Sequence, residues 1–258
     1  MKKVFVIAST KGGVGKTTIA SHIMSSVFPG CEILEIDDNN RSDIFKNSGY
    51  IKRFESIKVN ECENKLEELT FTLLEDTEDV LIIDAGGGND TKSVLKAIQD
   101  LDLKEIAKVT YIVPIMNSFV QAKNAVDMAK ILKDENIIFA LNAVEDISKI
   151  KQDWLFWFGD ESLGLESYFE KLGKPQTVII PRSSFFELAS LSRMTISDFA
   201  QQARAVDLAT FQKVAFNEHK NNKELYLKEL REFRASKRSK DFLDSFIDTI
   251  KEELEYEI

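Results

Sequence analysis

The residues with the strongest chemical signature stand together as Lys11-Gly12-Gly13-Val14-Gly15-Lys16-Thr17-Thr18. They directly follow a β-branched run, Lys3 to Ala8, and precede a stretch of helical composition that begins at Lys16. Three glycines let the backbone turn its N–H groups inward as an anion nest, and the helix behind them aims its N-terminus at the same anion. Lys16 is then spaced to reach the β- and γ-phosphates of a nucleotide, and the Thr17 hydroxyl to ligate Mg²⁺. Thr18 completes the phosphate-binding run. The usual phosphate-loop pattern has glycine where Thr10 stands, so the strict form of that pattern is not met.

A carboxylate with matching chemistry follows. Asp84 ends the apolar run Val80-Leu81-Ile82-Ile83, and an acid emerging from a buried strand is poised to hold the hydration shell of Mg²⁺. Gly86-Gly87-Gly88 comes next, where unhindered backbone amides can approach a γ-phosphate and rearrange when it leaves.

The elements needed to position these groups are legible along the chain. Buried-strand patterns occur at Lys3 to Ala8, Glu32 to Ile36, Asp79 to Asp84, Val109 to Pro114, Asn136 to Leu141 and Thr177 to Ile180. Helical stretches lie between them: Lys16 to about Val27, stopped by Pro29-Gly30, then Cys62 to Leu74, Thr91 to Leu101, Phe119 to Lys133 and Leu163 to Leu172. This alternation predicts an α/β fold, a mostly parallel sheet with helices on both faces. Beyond about Ala200 the strands stop, and Ala203 to Glu257 reads as two or three helical segments. The expected organisation is a catalytic unit over residues 1–200 and a helical extension over 201–258 packed on it.

The loop with its additional Lys11 resembles the deviant Walker motif of the ParA/MinD family of ATPases, and the resemblance extends through about residue 200. It implies Mg²⁺-dependent ATP hydrolysis, an ATP-dependent homodimer, and a P-loop strand lying beside the strand that ends in Asp84. Lys11 would reach the partner's nucleotide and stabilise charge on the transferring group; a surface lysine that merely favours the loop electrostatically is the alternative. In Ile33-Leu34-Glu35-Ile36-Asp37-Asp38 the resemblance makes Asp37 the water-positioning acid near Mg²⁺, with Asp38 the choice if the register slips by one. Asn142 would recognise adenine, and Pro181 with Arg182 would cover the base; Asn at a strand end is also a common turn residue. Relatives often carry a proline-containing loop where Gly86-Gly87-Gly88 stands here.

The whole-chain composition bounds the function. The 258 residues suit one α/β domain with an appendage. No apolar run reaches the roughly 18 residues that span a bilayer, no secretory leader is expected, and Cys31 and Cys62 lack metal or disulfide spacing, so a cytoplasmic protein without membrane attachment is expected. A net charge of −9 argues against a surface that grips nucleic acid all over. Yet residues 220–240 hold eight Lys/Arg against three Glu, while 241–257 hold seven acids against one Lys. Lys228, Arg231, Arg234 and Lys237, spaced by three, are the candidate contacts to nonspecific DNA; a solvated helix laced with Glu–Lys pairs is the bland alternative. Phe242, Leu243, Phe246, Ile247, Ile250 and Leu254 recur at helical spacing in an acidic tail, which suits packing on the body or a partner and not a basic membrane helix. Trp154-Leu155-Phe156-Trp157-Phe158 is either a helix packed on the core or a docking patch. The leading expectation is a partition or positioning ATPase stimulated by a ParB-like or other partner protein. One alternative is an ATPase that recruits a conjugation or secretion complex, and another is a metabolic enzyme that uses ATP to activate a small substrate.

Overall fold

Strand-forming and helix-forming segments alternate along the chain, and in the computed structural model they assemble around one parallel sheet. The structure describes residues 1–38, 43–75, 79–203 and 206–255, without the side chains of residues 43 and 255. The strands are β1 (Lys3–Ile7), β2 (Cys31–Ile36), β3 (Ile51–Ile57), β4 (Val80–Ala85), β5 (Lys108–Ile115), β6 (Asn136–Val144) and β7 (Thr177–Pro181), in the order β3-β2-β4-β1-β5-β6-β7. Every strand pair is parallel. The first strand therefore lies between the strand that ends in Asp84 and β5, as the resemblance implied.

Alternation along each strand sends successive side chains to opposite faces. Val4, Val6, Leu34, Ile36, Leu81 and Ile83 bury one face under α2 (Cys62–Leu73), α3 (Asn89–Asp100) and α4 (Phe119–Ile131). Phe5, Ile7, Ile33, Ile82, Ile112 and Ile138 bury the other under α1, a helical run over 16–27 that is α-helical at Lys16–Thr18 and Ser25–Val27 and π-helical at Ile19–Met24. That second face is completed by α5 (Phe185–Leu191), α6 (Ile196–Gln201) and two later helices, α8 (Lys223–Asp244) and α9 (Ile247–Glu255). Leu243, Phe246, Ile250 and Leu254 lie in the same buried cluster as Phe5 and Ile7, so the apolar stripe of the acidic tail is spent on the body. A further helix, α7 (Leu208–Glu218), packs against α8. Residues 204–205 and 256–258 of the predicted helical tail lie outside the described residues.

Two expectations need correction. A seventh strand, β3, is absent from the predicted set: it sits at the sheet edge, where Lys52, Arg53 and Glu55 break the apolar run that marks a doubly buried strand. The helix expected over Leu163 to Leu172 is only a turn at Glu161–Leu163 and one short helix at Tyr168–Lys171, separated by the Asp160–Leu165 bridge around Gly164. Of the two readings of the aromatic stretch, the structure favours core: Trp154 and Trp157 are buried, and only Phe156 is well exposed.

Candidate phosphate-binding site

At the C-terminal end of β1 the chain enters the glycine loop, and two of its glycines adopt backbone conformations that L side chains resist: φ is 72° at Gly13 and 90° at Gly15. Gly15 opens α1, so the loop delivers the free N–H groups of a helix start to the space above the sheet. A side chain at Gly15 would also meet the Asn142 amide, whose Nδ2 lies only 2.0 Å from where a Cβ would stand. Asn142 Nδ2 donates to the Val14 carbonyl at 2.8 Å and fixes the loop from the β6 side. This occurs where the β6–β7 register is irregular and Ala143 adopts a φ of 60°.

Lys16 is 8% exposed, and its Nζ donates to the Lys11 carbonyl at 3.5 Å. The same ammonium stands 3.7 Å from the point where a side chain on Gly87 would begin, so it lies between the two glycine loops. Beside it the Thr17 hydroxyl donates to Asp84 Oδ2 at 2.8 Å. Burial pushes the Asp84 carboxyl up to about 7, with the charges of Glu35 and Asp37 acting in the same direction; the Thr17 hydrogen bond and the Lys16 charge oppose this. The arrangement is a carboxylate-rich pocket with a hydroxyl ligand at hand and one ammonium beside it. Those hard oxygen donors fit Mg²⁺.

The two candidate water-positioning acids are separated by their partners. Asp38 Oδ1 accepts from the Val59 N–H at 3.0 Å and is engaged in holding the chain that leaves β3. Asp37 instead faces Gly86, whose added Cβ would come within 3.2 Å of its Cγ, and its charge acts on Asp84. Lys11 is exposed at the rim of the loop, and among the described residues only its backbone is hydrogen-bonded, to Ser9 and Lys16.

Three further residues belong to the site and were not predicted as site residues from the sequence. Glu35 is buried, pairs in register with Asp84 on the neighbouring strand, and accepts from Ser56 Oγ at 2.8 Å. Asp90, in the first turn of α3, has its carboxyl pushed up by partial burial and by the charges of Asp38 and Asp37. Thr91 is fully buried, and its hydroxyl lies against the Ser9 carbonyl at 2.8 Å and against the Gly86 carbonyl, tying the two glycine loops at their bases. A threonine just past a glycine run, one residue after an acid, is the local signal that could have found the last two.

Next to the phosphate loop, at the C-terminal ends of β5, β6 and β7, is an open cavity of about 780 Å³ lined by Met116, Asn117, Asn142, Ala143, Gln152 and Arg182 among others. Its size is that of a typical small-ligand site. Arg182 pairs with Glu145 at 2.6 Å across its mouth, and its N–H donates to the Val144 carbonyl. Pro181, one residue earlier, ends β7.

A family model described as the CobQ/CobB/MinD/ParA nucleotide binding domain matches residues 5–247. The chain belongs to this family. Comparison with curated proteins gives no match. Among solved structures, the chain is similar to the septum site-determining protein MinD of Pyrococcus horikoshii OT3 complexed with Mg-ADP, at 14% identity over 76% of this chain and 87% of that one, with a TM-score of 0.48. It is similar to the McdA(D38A)–ATP complex of Cyanothece at 16% identity over 76% and 90%, TM-score 0.49. A putative plasmid partition protein of Borrelia burgdorferi B31 bound to AMPPNP matches at 15% identity over 95% and 100%, TM-score 0.42.

Within this CobQ/CobB/MinD/ParA nucleotide-binding domain, the candidate DNA-binding residues lie far along the chain from the phosphate loop. Lys228, Arg231, Arg234 and Lys237 are all exposed on α8, away from the buried side formed by Phe233, Ser236 and Leu243. Lys228 pairs with Glu232 at 3.8 Å, whereas Arg231, Arg234 and Lys237 form no ion pair among the described residues. No described helix is long and apolar enough to cross a membrane.

Proposed function

We propose that this family member is a Mg²⁺-dependent ATPase of the ParA type, which closes into an ATP-bound homodimer and acts in DNA partition or positioning by binding DNA without sequence preference. The observation that carries the catalytic part is the Thr17–Asp84 hydrogen bond at the foot of the glycine loop, with the Lys16 ammonium buried beside it. The loop amides and Lys16 would hold the β- and γ-phosphates in place. Thr17 and Asp84 would hold Mg²⁺, with Asp37 near it, and the ion when bound would neutralise charge on the phosphate oxygens. Asp37 orients the attacking water. Lys11, exposed on the rim, extends to the partner protomer's nucleotide and stabilises charge as the γ-phosphoryl leaves. The adenine is received by the cavity beside Asn142 and Arg182. A ParB-like or other partner protein stimulates turnover.

The DNA part rests on the exposed cations of α8, of which Arg231, Arg234 and Lys237 form no ion pair among the described residues. Phosphate attraction is local, screened within about 10 Å at 0.1 M salt, so a net-acidic chain can still bind duplex through one gathered basic face. Dimerisation doubles that face. The test is anisotropy titration of random duplex at several salt concentrations, with ATP and with ADP, for the wild type and for a variant with Lys228, Arg231, Arg234 and Lys237 neutralised. The expected result is ATP-dependent, salt-sensitive binding, with a salt slope that the variant reduces by roughly 0.9 for each phosphate it no longer neutralises. An absence of binding in ATP at low salt would remove DNA from the reading and favour recruitment of a protein complex.

A further inference from the structure

A second group of ligating side chains lies far along the chain from the phosphate loop, where α7 turns into α8. Glu218 is the last residue of α7, His219 caps that helix, and Glu229 stands in the second turn of α8. One donor atom from each lies within 4.8 Å of the others, and His219 Nε2 is 2.7 Å from Glu229 Oε1. We propose that these three residues form a binding site for a divalent transition metal, of the Zn²⁺ kind, that joins the end of α7 to the start of α8.

The charge balance is the first argument. Two carboxylates meet at the C-terminal end of a helix, where the backbone carbonyls already carry partial negative charge and favour a cation. The last turn of α7 has no basic residue, and among the described residues no Lys or Arg forms an ion pair with Glu218 or Glu229. Even a protonated His219 leaves the group short of positive charge, and the His219–Glu229 hydrogen bond accounts for only two of its three members. The donor set is the second argument. One imidazole nitrogen with two carboxylate oxygens suits Zn²⁺ and its neighbours over Mg²⁺ or Ca²⁺. Glu218 is exposed, leaving one side of the group open for a water as the fourth ligand.

The third argument is preorganisation. The backbone at His219 is fixed on both sides, its N–H donating to the Ala215 carbonyl and its own carbonyl accepting from the Asn222 N–H at 2.8 Å. Asn222 in turn caps α8 through Leu225 at 3.1 Å, and Phe211 stacks on Phe233 at 4.1 Å between the two helices. Both helices are therefore held in place by interactions other than the ligands. Donor atoms within 4.8 Å of one another have only a short distance to close to form bonds of about 2.0–2.2 Å.

The experiment is calorimetric titration of ZnCl₂ into the full chain in excess Mg²⁺, which occupies the acids of the phosphate site, alongside the visible spectrum of bound Co²⁺. The wild type should take up one ion per chain, show the absorption of tetrahedral Co²⁺, and melt at a higher temperature with Zn²⁺ than without. Glu218→Gln leaves the His219–Glu229 hydrogen bond intact, so its metal-free melting temperature should match the wild type. Its Zn²⁺ affinity should nonetheless fall about tenfold or more, at least the decrease seen when outer-shell partners of metal ligands are removed. His219→Ala should abolish uptake. Zn²⁺ binding by Glu218→Gln equal to that of the wild type, or uptake abolished in Asp84→Asn and retained in Glu218→Gln, would overturn the assignment.

Discussion

Replacing Asp84 by Asn should stabilise the metal-free protein while impairing its response to Mg²⁺ and nucleotide. Burial lifts the Asp84 carboxyl from its ordinary 3.8 to about 7, which at 1.36 kcal/mol per pH unit is a destabilisation of about 4 kcal/mol above neutral pH. An amide keeps the Thr17 hydrogen bond and, like the protonated acid, carries no charge to desolvate. The gain at pH 8 is then about 4 kcal/mol, or about 8–16 °C in melting temperature for a chain of this size. Between pH 3.8 and about 7 the native Asp84 keeps a proton that the unfolded chain has released, so native stability falls as pH rises through that window. The variant's advantage should accordingly be near zero at pH 4, grow through that range, and level off above about 7. With Mg²⁺ and nucleotide at a hundredfold excess over Kd, the wild type should regain about 2.7 kcal/mol, and the variant much less. Paired urea melts from pH 4 to 8.5, in chelator and then in Mg²⁺ with a non-hydrolysable ATP analogue, measure both effects. A variant no more stable than the wild type at pH 8 in chelator, or an advantage independent of pH, would refute the account of Asp84 as a desolvated carboxyl awaiting a cation.

His22 should act with the opposite sign. Burial lowers it from 6.5 to about 4 while it accepts from the Ile196 N–H, so about 3 kcal/mol present above pH 6.5 is lost as pH falls toward 4; His22→Gln should flatten that acid limb in the same melts. Lys11→Ala should abolish ATP-dependent dimerisation by light scattering and lower hydrolysis by about a hundredfold or more, with nucleotide binding by the monomer retained. Asp37→Ala should keep ATP bound and unhydrolysed, and a larger effect from Asp38→Ala would reverse the assignment drawn from the Val59 hydrogen bond. Gly15→Ala should weaken nucleotide binding through both its φ of 90° and its collision with Asn142, and adding Asn142→Ala should relieve the collision but not the backbone strain, giving partial rescue by fluorescence titration.

The parts of this molecule that were legible in the sequence are those where one strong physical demand acts on consecutive residues. A doubly covered parallel strand must be apolar throughout, which made β1, β4 and β5 evident, and an anion nest must be glycine-rich, which located the phosphate loop. The strand β3 was not legible because an edge position tolerates Lys52, Arg53 and Glu55. Glu35 was not legible as a buried group for a different reason: its partner Ser56 lies on that edge strand, so nothing local to Glu35 marks it as an acid enclosed on two sides. Asn142 stands out by its position at a strand end, but its hold on the Val14 carbonyl depends on the irregularity at Ala143, which only the assembled β6–β7 pair reveals.

The loops of three strands meet at the candidate site, and the bonds among them explain why it is so poor in large side chains. The Gly86 N–H donates to the Ile36 carbonyl at 2.7 Å, which joins the end of β4 to the end of β2. The Gly86 carbonyl and the Ser9 carbonyl share the Thr91 hydroxyl, which joins β4 to the loop after β1. A Cβ at Gly86 would stand 2.9 Å from the Ile36 carbonyl, so only glycine allows this junction to close without moving backbone. A Cβ at Gly87 would come within ordinary van der Waals distance of Gly12 and the Lys16 ammonium. The glycine run after β4 is thus constrained from below by hydrogen bonds to two neighbouring strands and lies open above toward the phosphate-binding groups. This chain holds the junction by side-chain absence and one buried threonine. The Thr91 hydroxyl, buried between the Ser9 and Gly86 carbonyls, is the side-chain group that ties the two glycine loops together.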